Sequence, residues 1–307
     1  MNSARLARKS SPEQATSPVS IGDRLAIGGT DIVIMAGPCA IENQQQMETV
    51  AQHLAPSAIG MLRGGAFKPR TSPYSFQGLG QEGLDIMASV GRTYDLPVVT
   101  EVMAVEQIPQ VCDRADMLQI GSRNMQNFDL LKAVGKIDKP VMLKRGLAAT
   151  LEEFVMAAEY ILSHGNPNVV LCERGIRSFD SYTRNVLDLG TVVALKHLVH
   201  LPVIVDPSHA TGRRELVADL GKAAIACGAD GLMIECHPTP ERSVSDAAQA
   251  LSLDAVVTLT EQLRPIAAAV GRRIPSARSL PPTTTPTSLK TERRRRSEVD
   301  IQEPMPG

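Results

Sequence analysis

The sequence predicts an α/β fold, a single (β/α)8 TIM barrel with disordered N- and C-terminal tails. Eight short apolar runs recur along the chain, and a helical pattern follows each of them over about 235 residues, the usual size of such a barrel. Most runs are continuously apolar, as expected of strands buried on both faces of a parallel sheet. An open doubly wound sheet is the alternative. The predicted boundaries are a leader over 1–20, the catalytic barrel over 21–270 and a tail over 271–307.

The predicted strands and helices alternate in order. The strands are expected at 31–37, 58–62, 96–102, 116–121, 139–144, 168–173, 201–206 and 230–235. The helices are expected at 44–54, 82–94, 105–111, 128–134, 151–165, 184–198, 213–227 and 245–264. The clearest helix has Glu152 and Glu153 in its first turn, and Gly165 lies where a C-terminal cap belongs.

Composition and charge exclude several classes of protein. The net charge of −1 gives no general attraction to nucleic acid or membranes, and we expect neither as a partner. No apolar run approaches the eighteen or so residues of a membrane span. Five cysteines without a CxxC pair indicate a reducing compartment rather than a disulfide framework. We therefore expect a cytoplasmic protein, with an organellar transit peptide in the Ser/Arg-rich leader as the alternative.

The two ends of the chain are predicted to be disordered. The leader lacks an apolar signal core, and about twenty residues are too few for a domain. The tail is rich in Pro, Thr and Arg without apolar periodicity. Its four arginines at 293–296 are flanked by Glu292 and Glu298, which is typical of a solvated segment rather than a nucleic-acid contact.

Charged and metal-capable side chains follow the predicted strands. A barrel places catalytic residues just past the C-terminal ends of its strands. The residues at these positions are Cys39, Arg63, Glu101, Ser122, Arg123, Lys144, Arg145, Glu173, Arg174, Asp206, His209, Glu235 and His237. The second strand runs into a Gly/Pro loop with three cations, Arg63, Lys68 and Arg70, and no acid lies between Glu48 and Glu82. This loop suits an anionic ligand, although a solvated basic loop is the alternative.

Several long motifs at these strand ends resemble one enzyme family. GPCAIEN, LRGGAFKPRTSPYSFQGLG, TEVM, GSRNMQN, LKRG, LCERGIRSF, DPSHATGRR and GADGLMIECHPTPERSVSD together resemble the 3-deoxy-D-arabino-heptulosonate 7-phosphate (DAHP) synthases, type I beta branch. The resemblance covers residues 21–253. It implies a transferase that condenses phosphoenolpyruvate with D-erythrose 4-phosphate and water, the first step of the shikimate pathway toward chorismate and the aromatic amino acids. It also implies a homo-oligomer, either a dimer or a tetramer.

Two other functions remain open. One is the related 3-deoxy-D-manno-octulosonate 8-phosphate synthase, which uses arabinose 5-phosphate. The other is a catalytically silent barrel that binds a partner such as chorismate mutase. Family members often carry an added regulatory or chorismate mutase domain, which this sequence is not predicted to have, so a chorismate mutase could also act as a separate regulatory partner.

The resemblance also implies roles for individual residues. The phosphoenolpyruvate-binding residues would be Arg63, Lys68, Arg123, Lys144 and Arg174. The erythrose 4-phosphate-binding residues would be Arg70, Thr71, Ser72 and Asp206. The metal ligands would be Cys39, His209, Glu235 and Asp246. Lys68, Cys39 and His209 would act in catalysis.

The implied ligands form a mixed set of one thiolate, one imidazole and two carboxylates. Such a set suits one divalent Mn, Fe, Co or Zn ion better than Mg or Ca, with Mn the first expectation. The sequence departs from the family pattern in two places. Ala247 replaces the glycine that usually follows Asp246, and this replacement is expected to stiffen the loop and shift the ligand. Cys236 replaces an aliphatic residue, and we expect its side chain to face away from Glu235 because neighbours along a strand point to opposite sides.

Overall fold

The computed structural model describes residues 3–69 and 72–276, which contain a closed barrel of eight parallel strands. A two-stranded antiparallel hairpin precedes the barrel, with β1 at Val19–Ile21 and β2 at Leu25–Ile27. The barrel strands are β3 (Val33–Gly37), β4 (Met61–Arg63), β5 (Val98–Val102), β6 (Met117–Ile120), β7 (Val141–Lys144), β8 (Val169–Glu173), β9 (Val203–Val205) and β10 (Gly231–Glu235). They follow one another around the barrel, and β10 pairs with β3 to close it. The predicted (β/α)8 barrel and all eight of its strands are confirmed.

Helices connect the strands and cover the outside of the barrel. They are α1 (Gln44–Leu54), α2 (Gln81–Thr93), α3 (Ile108–Cys112), α4 (Phe128–Val134), α5 (Leu151–Leu162), α6 (Leu189–Leu198), α7 (Pro207–Thr211), α8 (Arg214–Ala226) and α9 (Leu253–Ala269). The best-defined start is that of α5, where Thr150 and Glu153 form a reciprocal capping box. None of the helices in the described part of the chain is long and apolar enough to cross a membrane.

Two predicted helices begin at least five residues later than the sequence suggested. The helix predicted over 184–198 starts at Leu189, because the Asp188 side chain accepts a hydrogen bond from the Thr191 backbone N–H and caps the helix there. The helix predicted over 245–264 starts at Leu253, where Ser252 is the corresponding cap. The two predictions were therefore wrong for residues 184–188 and 245–252, which belong to loops at the mouth of the barrel.

Two apolar layers hold the fold together. One lies between the barrel and the helices. The other fills the barrel and includes five methionines, Met35, Met61, Met117, Met142 and Met233. Methionine has a flexible, unbranched side chain and can fill an irregular interior. Val19, Ile21 and Ile27 of the hairpin pack against this inner layer and close the N-terminal end of the barrel.

The described part of the leader differs from the predicted disorder. The buried Glu159 side chain on α5 accepts hydrogen bonds from the backbone N–H groups of Leu6 and Ala7, at 2.8 and 2.5 Å. Ala4 and Ala7 are buried in the layer between barrel and helices. Residues 3–9 thus lie against α5 and the end of α6, where their small side chains allow a close approach. Most of the predicted C-terminal tail, residues 277–307, lies outside the described residues.

Candidate active site

A cavity of about 570 Å³ opens at the C-terminal ends of the barrel strands. Its walls are strongly polar, and most come from strand ends or the loops that follow them. The lining residues are Cys39, Arg63, Lys68, Pro69, Ser72, Ser75, Glu101, Gln119, Gly121, Ser122, Arg123, Lys144, Leu147, Arg174, Arg177, Arg184, Asn185, His209 and Asp246. The location agrees with the rule that barrel enzymes carry their chemistry at this face.

Four of the lining cations are buried, and backbone carbonyls hold three of them. Arg63 donates to the Pro38 carbonyl at 2.7 Å, Lys68 to that of Cys39 at 2.7 Å, and Arg174 to that of His209 at 3.0 Å. Lys144 instead forms an ion pair with Asp206. Because carbonyl oxygens carry no net charge, the cavity keeps a surplus of positive charge close to its walls. Such a site favours a ligand with several negative charges.

The four predicted metal ligands meet at one side of this cavity. Ligand atoms of Cys39, His209, Glu235 and Asp246 all lie within 4.8 Å of one another. The Cys39 Sγ atom lies 3.1 Å from Oδ2 of Asp246 and 3.9 Å from Nε2 of His209. The same His209 nitrogen lies 3.5 Å from Oε2 of Glu235. Despite the altered loop, Asp246 reaches the group, and its own backbone has the left-handed φ of 56° that residues other than glycine seldom adopt.

The protonation of this group indicates what it can hold. Burial and Glu235 raise the pKa of the Cys39 thiol, but Lys68 and the contact with His209 outweigh them and keep the pKa below its usual value. Burial likewise opposes ionisation of Asp246, but His209, Cys39 and Arg184 hold the pKa of that carboxyl well below its usual range. A thiolate and a carboxylate 3.1 Å apart repel each other unless a cation or proton lies between them.

Glu235 gives a second indication of a cation. Burial raises the pKa of Glu235 to about 8, and its buried Oε1 atom has no hydrogen-bond partner within the described residues. A buried polar atom without a partner is costly, and a bound metal would provide one. The mixed thiolate, imidazole and carboxylate donors also fit a divalent transition metal. The arrangement can therefore hold such an ion.

Asp206 orients the imidazole of this group. Its Oδ2 atom lies 2.8 Å from Nδ1 of His209, so Nε2 is the ring nitrogen directed at the other ligands. Such carboxylate–histidine pairs are usual behind metal ligands. Asp206 was predicted to bind the sugar phosphate, but it is fully buried beneath the cavity between His209 and Lys144. Because of this buried position, we expect Asp206 to orient the His209 ring rather than to contact a substrate.

Not every strand-end residue reaches the cavity. Arg145 forms ion pairs with Glu173 and Asp188, at 2.8 and 3.0 Å, on the outer side of the barrel wall. His237 lies beside Glu42. Cys236 packs in the outer apolar layer, as predicted from strand alternation. Arg123, predicted to bind phosphoenolpyruvate, lines the cavity, as does Ser72, predicted to bind the sugar phosphate. Arg70 and Thr71, also predicted to bind the sugar phosphate, lie outside the described residues.

Several polar residues at the site were not predicted from the sequence. Arg177, Arg184 and Asn185 line the cavity, and Gln249 is buried behind Glu235. Arg184 and Asn185 fell within the helix predicted over 184–198, and Gln249 fell within the helix predicted over 245–264. None of the three was therefore considered as a loop residue of the site. The available signal was the placement of Arg177 and Arg184 shortly after a predicted strand end.

One glycine at the site is required by its neighbour. A Cβ atom on Gly121 would come within 2.1 Å of Oε1 of Glu101, a buried carboxylate of the cavity wall. Gly121 precedes Ser122 and Arg123, so the close approach also brings these two residues to the cavity.

Comparisons with known proteins agree with this geometry. Residues 12–270 match the DAHP synthetase I family. The chain is 45% identical over 269 residues to a phospho-2-dehydro-3-deoxyheptonate aldolase of Thermotoga maritima. The aligned region covers 88% of this chain and 79% of the relative. It is 30% identical over 273 residues to a 2-dehydro-3-deoxyphosphooctonate aldolase of Geobacter sulfurreducens, with 83% and 99% covered.

Solved structures give the same result. The crystal structure of the Thermotoga maritima DAHP synthase superimposes with a TM-score of 0.85 at 41% identity, over 90% of this chain and 80% of that one. A truncated form of 3-deoxy-D-arabino-heptulosonate 7-phosphate synthase from the same organism gives a TM-score of 0.82 at 41% identity, over 88% and 98%.

Proposed function

Because the chain belongs to the DAHP synthetase I family, we propose that it condenses phosphoenolpyruvate with D-erythrose 4-phosphate and water to give DAHP and inorganic phosphate. The observation that supports this most directly is the meeting of buried cations and a four-residue ligand group in one cavity. Phosphoenolpyruvate carries a carboxylate and a phosphate, and its partner carries an aldehyde. The cavity has one region suited to each.

The cations would bind and orient phosphoenolpyruvate. Arg63, Lys68, Lys144 and Arg174 are buried and already held by the protein, so little side-chain freedom is lost when an anion binds. Arg123 is exposed at the rim and would complete the set. In the reaction, C3 of phosphoenolpyruvate bonds to the aldehyde carbon, a water oxygen adds at C2, and the C2–O bond to phosphate breaks.

The ligand group would act on the aldehyde. A divalent metal held by Cys39, His209, Glu235 and Asp246 would supply Lewis acidity at the aldehyde oxygen. The Nζ atom of Lys68 lies 2.9 Å from Sγ of Cys39, between the cations and the ligand group. Its charge is therefore placed to stabilise the oxygen that becomes negative as the carbon–carbon bond forms.

The octulosonate synthase reaction is the main alternative, since the Geobacter sulfurreducens relative is 30% identical. The sequence favours the four-carbon sugar, because Lys68 is followed by Pro69 and then Arg70 and Thr71, as in the heptulosonate enzymes that the motif resembles. Arabinose 5-phosphate is one carbon longer, so its aldehyde would be displaced from the ligand group if its phosphate occupied the same place.

Phosphate release distinguishes the two reactions. The purified protein should release phosphate from phosphoenolpyruvate with erythrose 4-phosphate, lose this activity on chelation and regain it with Mn²⁺. Equal efficiency with arabinose 5-phosphate would favour the alternative. Full activity after exhaustive chelation would contradict the proposed role of the metal. The absence of turnover with either sugar phosphate would favour the catalytically silent barrel.

Arg70 gives the sharpest test of the sugar assignment. Loss of a charged phosphate contact costs about 2 to 4 kcal/mol, so Arg70→Ala should lower kcat/KM for erythrose 4-phosphate roughly 30- to 1,000-fold. The KM for phosphoenolpyruvate should change far less, because other cations bind it. Arg92→Ala, which removes an exposed arginine from α2, is the matched control. An Arg70→Ala variant impaired only toward phosphoenolpyruvate would contradict the assignment.

The remaining assignments stay predictions from the sequence. They are Mn as the native metal, a cytoplasmic location, a homo-oligomeric state and regulation by a chorismate mutase partner.

A further inference from the structure

Arg184 and Gln249 connect the two carboxylates of the ligand group. The Gln249 side chain is buried, and its Nε2 atom donates to Oε2 of Glu235 at 2.6 Å. The Arg184 NH1 atom donates to Oε1 of Gln249 at 3.3 Å and to Oδ1 of Asp246 at 3.1 Å. One short chain of hydrogen bonds therefore runs from Glu235 through Gln249 and Arg184 to Asp246.

This chain joins parts of the fold that are separate along the sequence. Glu235 ends strand β10, Asp246 and Gln249 lie in the loop before α9, and Arg184 comes from the loop after β8. Asp246 holds a left-handed backbone conformation that costs free energy, so contacts elsewhere must keep it in place. Arg184 provides such a contact from across the mouth of the barrel.

Neither Gln249 nor Arg184 bonds to the other oxygen of these two carboxylates. Gln249 occupies Oε2 of Glu235, whereas Oε1 has no partner among the residues described. Arg184 occupies Oδ1 of Asp246, whereas Oδ2 lies near Cys39 and accepts a hydrogen bond from the Ser245 hydroxyl at 3.2 Å. Outer residues that fix one oxygen of a carboxylate determine where its second oxygen points.

We propose that Arg184 and Gln249 are positioning residues that hold Glu235 and Asp246 at the spacing needed to bind one metal ion. The inference rests on the metal-dependent function proposed above. It also makes metal affinity depend on the loop after β8, residues 174–188, which contributes no ligand of its own. Arg184 lines the cavity and is 42% exposed, so the competing role for it is direct contact with a substrate phosphate.

Binding of Co²⁺ tests the proposal independently of turnover. Co²⁺ bound to a thiolate gives a charge-transfer absorption band, so titration of the metal-stripped full chain reports both affinity and the Cys39 bond. Gln249→Met keeps the approximate length of the side chain, Arg184→Met keeps much of its apolar stem, and each removes the hydrogen bonds of the original residue. Each should weaken Co²⁺ binding about 10- to 100-fold, as is usual for residues behind metal ligands.

Two comparisons separate positioning from a general effect of charge. Arg177→Met removes a neighbouring arginine of the same loop, which also lines the cavity, and should leave Co²⁺ affinity within about twofold. The double variant Arg184→Met/Gln249→Met should lose less than the product of the two single losses, because both residues act partly through one chain of bonds.

The outcomes that overturn the inference are distinct from those that overturn the proposed function. Unchanged Co²⁺ affinity in Arg184→Met, with a raised KM for either substrate, would make Arg184 a substrate-binding residue. An unaltered protein that gives no thiolate band with Co²⁺ would instead remove the metal function itself. If Gln249→Met fails to fold, as judged by circular dichroism, the variants of the exposed Arg184 still test the proposal. Arg184→Lys should then recover part of the Co²⁺ affinity that Arg184→Met loses.

Discussion

The two ends of the barrel are built from the same strands but differ in chemistry. At the N-terminal end, the inner layer consists of apolar side chains that pack against the hairpin. Two residues further along several strands, on the same inward face, the chain places charged or polar groups, as from Met61 to Arg63, Val99 to Glu101 and Met142 to Lys144. On the inner face of these strands, a distance of two residues therefore separates the apolar layer that stabilises the barrel from the polar layer that lines the cavity.

The difference predicts that substitutions at the two ends have separable effects. Those at the mouth that leave no partner of a buried ion pair unpaired should change binding and turnover with little effect on stability, because they remove little apolar packing. Those at the opposite end should change stability with little effect on turnover. The following predictions test this separation, beginning with the largest effect.

Cys39→Ser should cause the largest loss at the mouth. A hydroxyl replaces a thiolate poorly as a ligand for a transition metal, and the Lewis acidity proposed there is worth several kcal/mol. We expect kcat/KM to fall roughly 100- to 1,000-fold at fixed Mn²⁺, with the unfolding midpoint of the metal-free protein nearly unchanged. Cys227→Ser, at the end of α8, is the matched control and should retain full activity. A Cys39→Ser variant of normal activity would disprove the role of this ligand.

Ile21→Ala should give the opposite pattern at the closed end. Ile21 is fully buried between the hairpin and the inner layer, and removal of such a side chain usually costs about 2 to 5 kcal/mol of unfolding free energy. Guanidinium unfolding should show this loss, whereas kcat/KM measured well below the transition should stay within about twofold. A large loss of activity at unchanged stability would mean that the hairpin affects the mouth.

Deletion of residues 2–9 should have a smaller effect of the same kind. The Glu159 carboxylate on α5 would lose two backbone donors, and the loss of hydrogen bonds to a charged group costs about 1 to 3 kcal/mol. The free energy of unfolding should fall by that amount. Restoring part of it with Glu159→Leu, which removes the unpaired carboxylate, would identify the cause. An unchanged free energy of unfolding after the deletion would instead support the disordered leader predicted from the sequence.

Met142→Leu should have the smallest effect. The substitution conserves most of the side-chain volume within the inner layer and should cost less than about 1.5 kcal/mol. Lys144 lies two residues further on the same face, so the KM for phosphoenolpyruvate also tests whether the two layers are independent. A KM raised more than about threefold would show that packing below the cavity positions the cations above it.

The sequence predicted the strands more reliably than the site. Continuous apolar runs identify buried strands, and the period of two along a strand could have separated inward from outward residues. Arg145 and Glu173 are outward and pair with each other, whereas Lys144 and Arg174 are inward and line the cavity. The strands were therefore located correctly, but the face on which a strand-end residue lies was considered only for Cys236.

The parts that the sequence did not predict depend on contacts between distant segments. Arg184 was placed in a helix because its neighbours are compatible with one, and the cap at Asp188 decides otherwise. The ordering of residues 3–9 depends on Glu159, more than 150 residues away. The hairpin β1–β2 has strands of three residues, too short for an apolar period to be recognised.

The closure of the barrel by β10 and β3 has a consequence for how the molecule is made. The two strands pair over five residues but lie roughly 200 residues apart along the chain. On the ribosome, β3 has one unpaired edge until nearly all of the barrel has been synthesised, and exposed edges of this kind promote association between chains. Pairing of such distant segments is also slow. Closure of the barrel is therefore the late step at which folding competes with aggregation.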